Sequence, residues 1–165
     1  MKEAVDLEIV FVSHRKPVTI STFRRLGQDY FKDLYARRRE KFIESILARQ
    51  GERDRWLLLL RHEEEFIGFA HLKIDKDERP GWGFILEFYI VPNKRRLGLG
   101  RKFFSMIEEM LRGKAVKDVW LLSGSSAEAH AFWSSLGFRP TGEVDKETRQ
   151  SIMEKPLENV GKSHL

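Results

Sequence analysis

The sequence predicts an α/β fold: one layered domain with a mixed, mostly antiparallel central sheet of about six to seven strands and about four helices on both faces. Three observations predict it. The spacing of apolar residues switches repeatedly between a period of 2 and a period of 3.6, in the order β-α-α-β-β-β-α-β-α-β-β. The run Phe84-Ile85-Leu86-Glu87-Phe88-Tyr89-Ile90-Val91 is apolar at all positions but one, as in a central strand covered above and below. The chain has 165 residues, 41% apolar and 33% charged, enough for one full core and too few for two.

The elements follow in order. Asp6–Ser13 alternates acidic and apolar residues and becomes Ile9-Val10-Phe11-Val12, a first strand. Pro17 breaks the chain, and Thr19 or Ser21 can cap a helix through Phe23, Leu26, Tyr30 and Leu34. A second helix carries Phe42, Ile43, Ile46 and Leu47, with Arg37-Arg38-Arg39 between the two. Gly51–Asp54 is a turn. Trp56–Arg61 and Phe66–Ile74 read as a hairpin joined by His62–Glu65, and a polar loop with Pro80-Gly81 leads to Phe84–Val91. Pro92 ends that strand's ladder.

After Gly100, Phe103, Phe104, Ile107, Met110 and Leu111 share one helical face, Glu108 and Arg112 form an outside pair, and Gly113 stops the helix. Val116–Leu122 is a strand. Ser125 and Glu128 form a capping-box pattern for a helix with the stripe Ala129, Phe132, Trp133 and Leu136, ended by Gly137. Phe138–Val144 and Gln150–Leu157 close the sheet. The domain is expected to span 1–157, with 158–165 as a loose tail.

Composition excludes several classes of function. With no cysteine there are no disulfides, thiolate zinc sites or cysteine nucleophiles, and the composition suits a reducing cytoplasm. The longest apolar runs, such as Trp56–Leu60 and Phe84–Leu86, fall far short of a membrane span, and Glu3, Asp6 and Glu8 interrupt any signal peptide. His14, His62, His71 and His164 show no metal spacing, so no metal is expected.

Thirty basic against twenty-five acidic residues leaves +5, and the segment Val91–Lys102 alone carries Lys94, Arg95, Arg96, Arg101 and Lys102 with no acid. Such a run is either a polyanion site or a solvated loop. Its position argues for the site. It joins a buried strand to a helix start, where unpaired N–H groups and the positive dipole end favour an anion. Gly98 and Gly100 let the backbone approach a diphosphate closely. A dinucleotide fingerprint needs a third glycine where Phe103 stands, and a P-loop needs Gly-Lys-Ser/Thr where Gly100-Arg101-Lys102 stands. Both fail.

The pattern Arg95-x-x-Gly98-x-Gly100, after Val91-Pro92 and before a helix, resembles the acetyl-CoA motif of the GNAT N-acetyltransferase superfamily. Phe66-Ile67-Gly68-Phe69-Ala70 is similar to that family's third strand, and Ala129-x-x-Phe132-Trp133-x-x-Leu136-Gly137-Phe138 to its fourth helix and the strand after it. Met153–Leu157 resembles the final strand, so the similarity covers residues 56–157.

The resemblance implies an acetyl-CoA-dependent transfer of an acetyl group to a primary amine by direct attack. Backbone amides from Arg95 through Arg96, Leu97, Gly98, Leu99 and Gly100 to Arg101 would hold the CoA diphosphate. The edge of Tyr89, Ile90 and Val91 would pair with pantetheine, with Ser126, Phe132 and Trp133 as further cofactor contacts. The acceptor groove of the family lies partly under the first two helices, where Arg37–Arg39 either lines it or is a solvated helix end. Acetyl-CoA and an amine acceptor are the expected partners; a membrane is not, and nucleic acid is disfavoured because the charge gathers at the glycine turn without an aromatic stacking pattern. Dimers are common in the family.

An alkyl amine with a pKa of about 10 is mostly protonated at neutral pH and needs a base. Glu87 is the candidate: a carboxylate in an apolar strand should have a raised pKa. The alternative is a brace that pairs with an arginine or fills a wet edge. Many relatives carry a tyrosine where Trp133 stands, and an indole is no acid. Tyr89, which faces the same way as Glu87, His130 or water would then protonate the leaving sulfur. The departure at Trp133 also keeps open a GNAT-like protein that binds CoA without transferring from it.

Overall fold

A computed structural model describes residues 6–124 and 126–157. The chain forms β1 (Leu7–Phe11), α1 (Pro17–Tyr30), α2 (Ala36–Ala48), β2 (Arg55–His62), β3 (Glu65–Ile74) and β4 (Gly83–Ile90). After a 3-10 turn at Pro92–Lys94 come α3 (Leu99–Arg112), β5 (Asp118–Ser123), α4 (Ala127–Ser135), β6 (Arg139–Val144) and β7 (Ser151–Pro156). The seven strands pair in the order β1-β2-β3-β4-β5-β7-β6, so the expected mixed sheet and element order are borne out. β4 and β5 run parallel, linked by the crossover helix α3 that a parallel pair requires, whereas β1–β2, β5–β7 and β6–β7 are antiparallel. The expected tail, 158–165, lies outside the described residues.

The residues group into two compact units. One holds the described residues up to Leu72 together with Glu87–Phe103; the other holds Lys73–Leu86 and the described residues from Phe104 onward. In the first, Phe23 and Leu26 of α1, Ile43 and Leu47 of α2, and Leu57, Leu59 and Phe69 of the sheet form one buried cluster. The β1–β2 register sets Val10 against Leu59 and Ile9 against Leu60.

Helix α1 corrects the sequence reading. It opens on Pro17 with Lys16 as the cap residue, because proline presets the helical φ and lacks the N–H that a first turn leaves unpaired. Thr19 is instead a buried bracket. Its hydroxyl donates to the Lys16 carbonyl at 2.7 Å and accepts from the Ser13 N–H at 3.0 Å. Likewise, Arg37–Arg39 occupies the first turn of α2 rather than the link before it.

In the second unit Phe84 stacks on Trp120, with centroids 4.1 Å apart, and the Arg79 guanidinium lies 4.5 Å from the Trp120 ring centre. Glu108 is not on the outside. It is buried, held by Lys155 of β7 at 2.8 Å and by Arg112 at 3.8 Å, the pairing that a buried carboxylate demands. The hydroxyl of Ser126 caps α4, accepting from the Ala129 N–H at 3.3 Å; Ser125, expected in that role, lies outside the described residues. Of the expected α4 stripe, Trp133 and Leu136 are buried while Ala129 and Phe132 are half-buried.

Candidate active site

Successive side chains of a strand point to opposite faces, so Glu87 and Tyr89 of β4 share one. Tyr30, the last residue of α1, packs there. Its hydroxyl donates to Oε2 of Glu87 at 3.0 Å, and its ring meets those of Tyr89 at 5.5 Å and Phe69 at 5.3 Å. Arg95 adds its guanidinium 5.5 Å from the Tyr89 ring centre. Sequence reasoning placed Glu87 and Tyr89 together but read Tyr30 as plain core. The available signal was a phenol on an apolar stripe, which needs a hydrogen-bond partner when buried.

This surrounding sets the titration of the three groups. Burial pushes the Glu87 carboxyl up to about 7, opposed by the hydrogen bond from Tyr30, which favours the charged form. Tyr30 is raised well above an ordinary phenol, first by burial and then by the facing Glu87 charge. Tyr89 is raised by burial and by Asp29, against Arg95. The site therefore pairs a carboxyl poised near neutrality with two phenols that keep their protons.

The parallel register of β4 with β5 pairs Gly83–Ile85 with Val119–Leu121, and β4 continues to Ile90. On the β3 side the Val91 N–H donates to the Ile67 carbonyl at 2.8 Å. Neighbouring residues direct their backbone groups to opposite edges, so those of Ile90 face away from β3. The Ile90 carbonyl accepts Nε of Arg95 at 2.7 Å.

Beyond it the chain turns into α3. Arg96 and Gly98 have φ of +63° and +80°, the left-handed backbone from which anion-binding nests are built. The Gly98 carbonyl accepts from the Lys102 N–H at 3.1 Å, so Leu99 and Gly100 lie in the first turn of α3, where the helix ladder itself supplies no carbonyl. A Cβ on Gly98 would meet nothing within 4 Å, so the cup opens outward. Arg96, Leu97, Arg101 and Lys102 are exposed around it, while Lys94 turns to Glu65 at 3.9 Å. N–H donors, exposed cations and an open cradle suit a diphosphate.

The remaining expected contacts belong to the second unit. The Ser126 hydroxyl is engaged as a helix cap, and Phe132 is half-buried. Trp133 is core, with Phe132 at 5.0 Å, Phe138 at 5.3 Å and Phe104 at 5.7 Å. His130 is half-buried on the same helix. Among the described residues no group of three or more His, Asp or Glu side chains is gathered to hold a metal, and no helix is long and apolar enough to cross a membrane.

Comparison with known proteins bears on the fold and the family. No curated protein sequence matches the chain. Solved structures do. PaiA N-acetyltransferase from Thermoplasma acidophilum, in complex with coenzyme A, is 20% identical with a TM-score of 0.66 over 92% of this chain and 99% of that one. The ribosomal-protein-S18-alanine N-acetyltransferase from Escherichia coli is 20% identical with a TM-score of 0.67, over 95% and 97%. An acetyltransferase from Thermus thermophilus is also 20% identical, with a TM-score of 0.73 over 92% and 97%. These likenesses establish the fold. The model of the acetyltransferase (GNAT) family matches residues 20–138, spanning both the Tyr30–Glu87 pair and the glycine turn, and the chain belongs to that family.

Proposed function

We propose that the protein is an acetyl-CoA-dependent N-acetyltransferase in which Glu87 takes the proton of the attacking amine. The observation that carries this reading is the Tyr30–Glu87 hydrogen bond on a strand that leads into a glycine cup. The coenzyme A complex of the Thermoplasma acidophilum relative supports the choice of donor.

Acetyl-CoA, when bound, supplies an electrophilic thioester carbonyl and a thiolate leaving group. The amides of Leu99 and Gly100 and the exposed cations hold its diphosphate, and the outer edge of Ile90 faces the pantetheine. Arg95 must then share or release the Ile90 carbonyl. Glu87, near 7, is ionised enough at neutral pH to accept a proton and basic enough to hold it. The amine nitrogen forms a bond to the carbonyl carbon, its proton passes to Glu87, and the C–S bond breaks. Tyr89, which retains its proton, gives it to the departing sulfur and is reprotonated from solvent. Trp133 takes no part.

Calorimetry with acetyl-CoA and thiol release across an amine panel test this. Binding at micromolar concentration, release with the wild type, and a loss of at least about 100-fold in Glu87→Gln are expected. The burial of Trp133, whose indole cannot protonate a leaving sulfur, favours a second reading, a CoA-binding protein without transfer. Binding without thiol release from any amine would establish it.

A further inference from the structure

Arg95 lies on the strand edge that pantetheine would use. The Val91 N–H donates to Ile67 of β3, so the Ile90 carbonyl points away from β3, and Nε of Arg95 donates to that carbonyl at 2.7 Å. The same guanidinium stands 5.5 Å from the Tyr89 ring centre, a cation–π distance. Two neighbouring residues of one strand thus hold one side chain, the first by its ring and the second by a charge-assisted hydrogen bond. Lys94 turns instead to Glu65 at 3.9 Å, and among the described residues no carboxylate is paired with Arg95.

A guanidinium held by a neutral carbonyl and a ring gains by moving to an anion, because hydrogen bonds between two charged partners are the stronger ones. A diphosphate in the glycine cup is such an anion, and Arg95 immediately precedes the turn that opens at Arg96 with φ of +63°. We propose that Arg95 selects the acyl donor: its guanidinium covers the Ile90 carbonyl until a diphosphate in the cup draws it away, so thioesters without a diphosphate meet a closed edge. This rests on the transferase reading and deepens it. A carbonyl has a second lone pair, but the guanidinium that fills the first also stands where a pantetheine chain would run. Acetyl-CoA carries thioester and diphosphate in one molecule and opens the edge that it then occupies. S-acetylpantetheine offers the same thioester and the same amides and must displace Arg95 unaided. Discrimination of this kind comes from an obstacle to the wrong ligand rather than from an added contact with the right one.

The donor is tested in two halves: S-acetylpantetheine as substrate and adenosine diphosphate as a separate anion, with thiol release to an amine that the wild type acetylates from acetyl-CoA. In the wild type, adenosine diphosphate should raise kcat/KM for S-acetylpantetheine by at least about tenfold. Arg95→Ala should reach that level without it, respond to it by less than about twofold, and lose efficiency with acetyl-CoA, whose diphosphate loses a partner. A general disturbance of the site would lower both donors together. Three outcomes overturn the inference while normal turnover of acetyl-CoA leaves the transferase reading standing. One is no effect or inhibition by adenosine diphosphate in the wild type. Another is equal activation of Arg95→Ala, since the turn alone would then carry the effect. The third is an Arg95→Ala variant no better than the wild type with S-acetylpantetheine. Acetyl-CoA that neither binds nor yields thiol with any amine overturns both.

Discussion

The Tyr30 hydroxyl donates to Glu87 across 3.0 Å, tying the last residue of α1 to the one acidic residue of β4. Two opposed effects meet in that bond. Burial disfavours the carboxylate, and the phenol's hydrogen bond favours it; burial wins, which leaves Glu87 at about 7.

Tyr30→Phe removes the effect that favours the charge while leaving the ring in place. The Glu87 carboxyl then rises further, so the acidic limb of the pH–rate profile should move toward alkaline pH by about one pH unit. Activity at pH 7 should fall several-fold and recover at pH 9, because the base itself is intact. A pH–rate profile of wild type and variant checks this; a limb that stays in place would show that Tyr30 does not govern the base.

The same group makes stability fall with pH. The folded protein holds the Glu87 proton up to about 7, whereas the unfolded chain releases it near the ordinary 4.5, so between those values the folded state binds more protons. Stability contributed by the protonated carboxyl is complete below pH 4.5 and is lost as pH rises through 7, on the order of 3 kcal/mol at most. Glu87→Gln keeps a hydrogen-bonding side chain without the charge. It should match the wild type in urea unfolding at pH 4 and exceed it at pH 8. A variant less stable at pH 8 would contradict the assignment.

The fold was legible wherever one segment carried its own signal: the doubly apolar β4, the α3 stripe, the hairpin of β2 and β3. Glu87 was legible because a lone carboxylate interrupts an apolar run. Its partner was not, because a stripe tyrosine looks the same whether its hydroxyl meets water or an acid 57 residues away. Glu108 misled for the same reason. Its spacing to Arg112 suggests a solvent pair, and only Lys155, 47 residues on, draws it inside. At Pro17 the local signal was present but ambiguous, since proline both breaks chains and opens helices. Long-range partners decide burial, and one sequence does not contain them.

Gly98 separates the backbone from the side chains of the cup. Its φ is +80°, and no atom lies within 4 Å of the place a methyl group would take. Alanine there would meet no clash and would suffer only the left-handed conformation, about 1–2 kcal/mol. Gly98→Ala should therefore stay folded, with a melting point lower by a few degrees, while the turn relaxes. Calorimetric affinity for acetyl-CoA should fall at least tenfold. Wild-type acetyl-CoA affinity in this variant would remove the turn from the binding site.

Gly68 presents the opposite case, a position with ordinary φ and no room. A Cβ there would lie 2.3 Å from the Tyr89 carbonyl oxygen and 2.9 Å from Cδ1 of Ile90. The second contact is a flexible tip; the first is backbone of the strand that carries Glu87, so relief requires β3 and β4 to part. Gly68→Ala should lose several kcal/mol in urea unfolding, among the larger effects of a single methyl. Adding Ile90→Val trims the side chain but leaves the carbonyl clash, so the double variant should regain little of the loss. Full recovery in the double variant would place the conflict at the Ile90 side chain rather than at the backbone of β4.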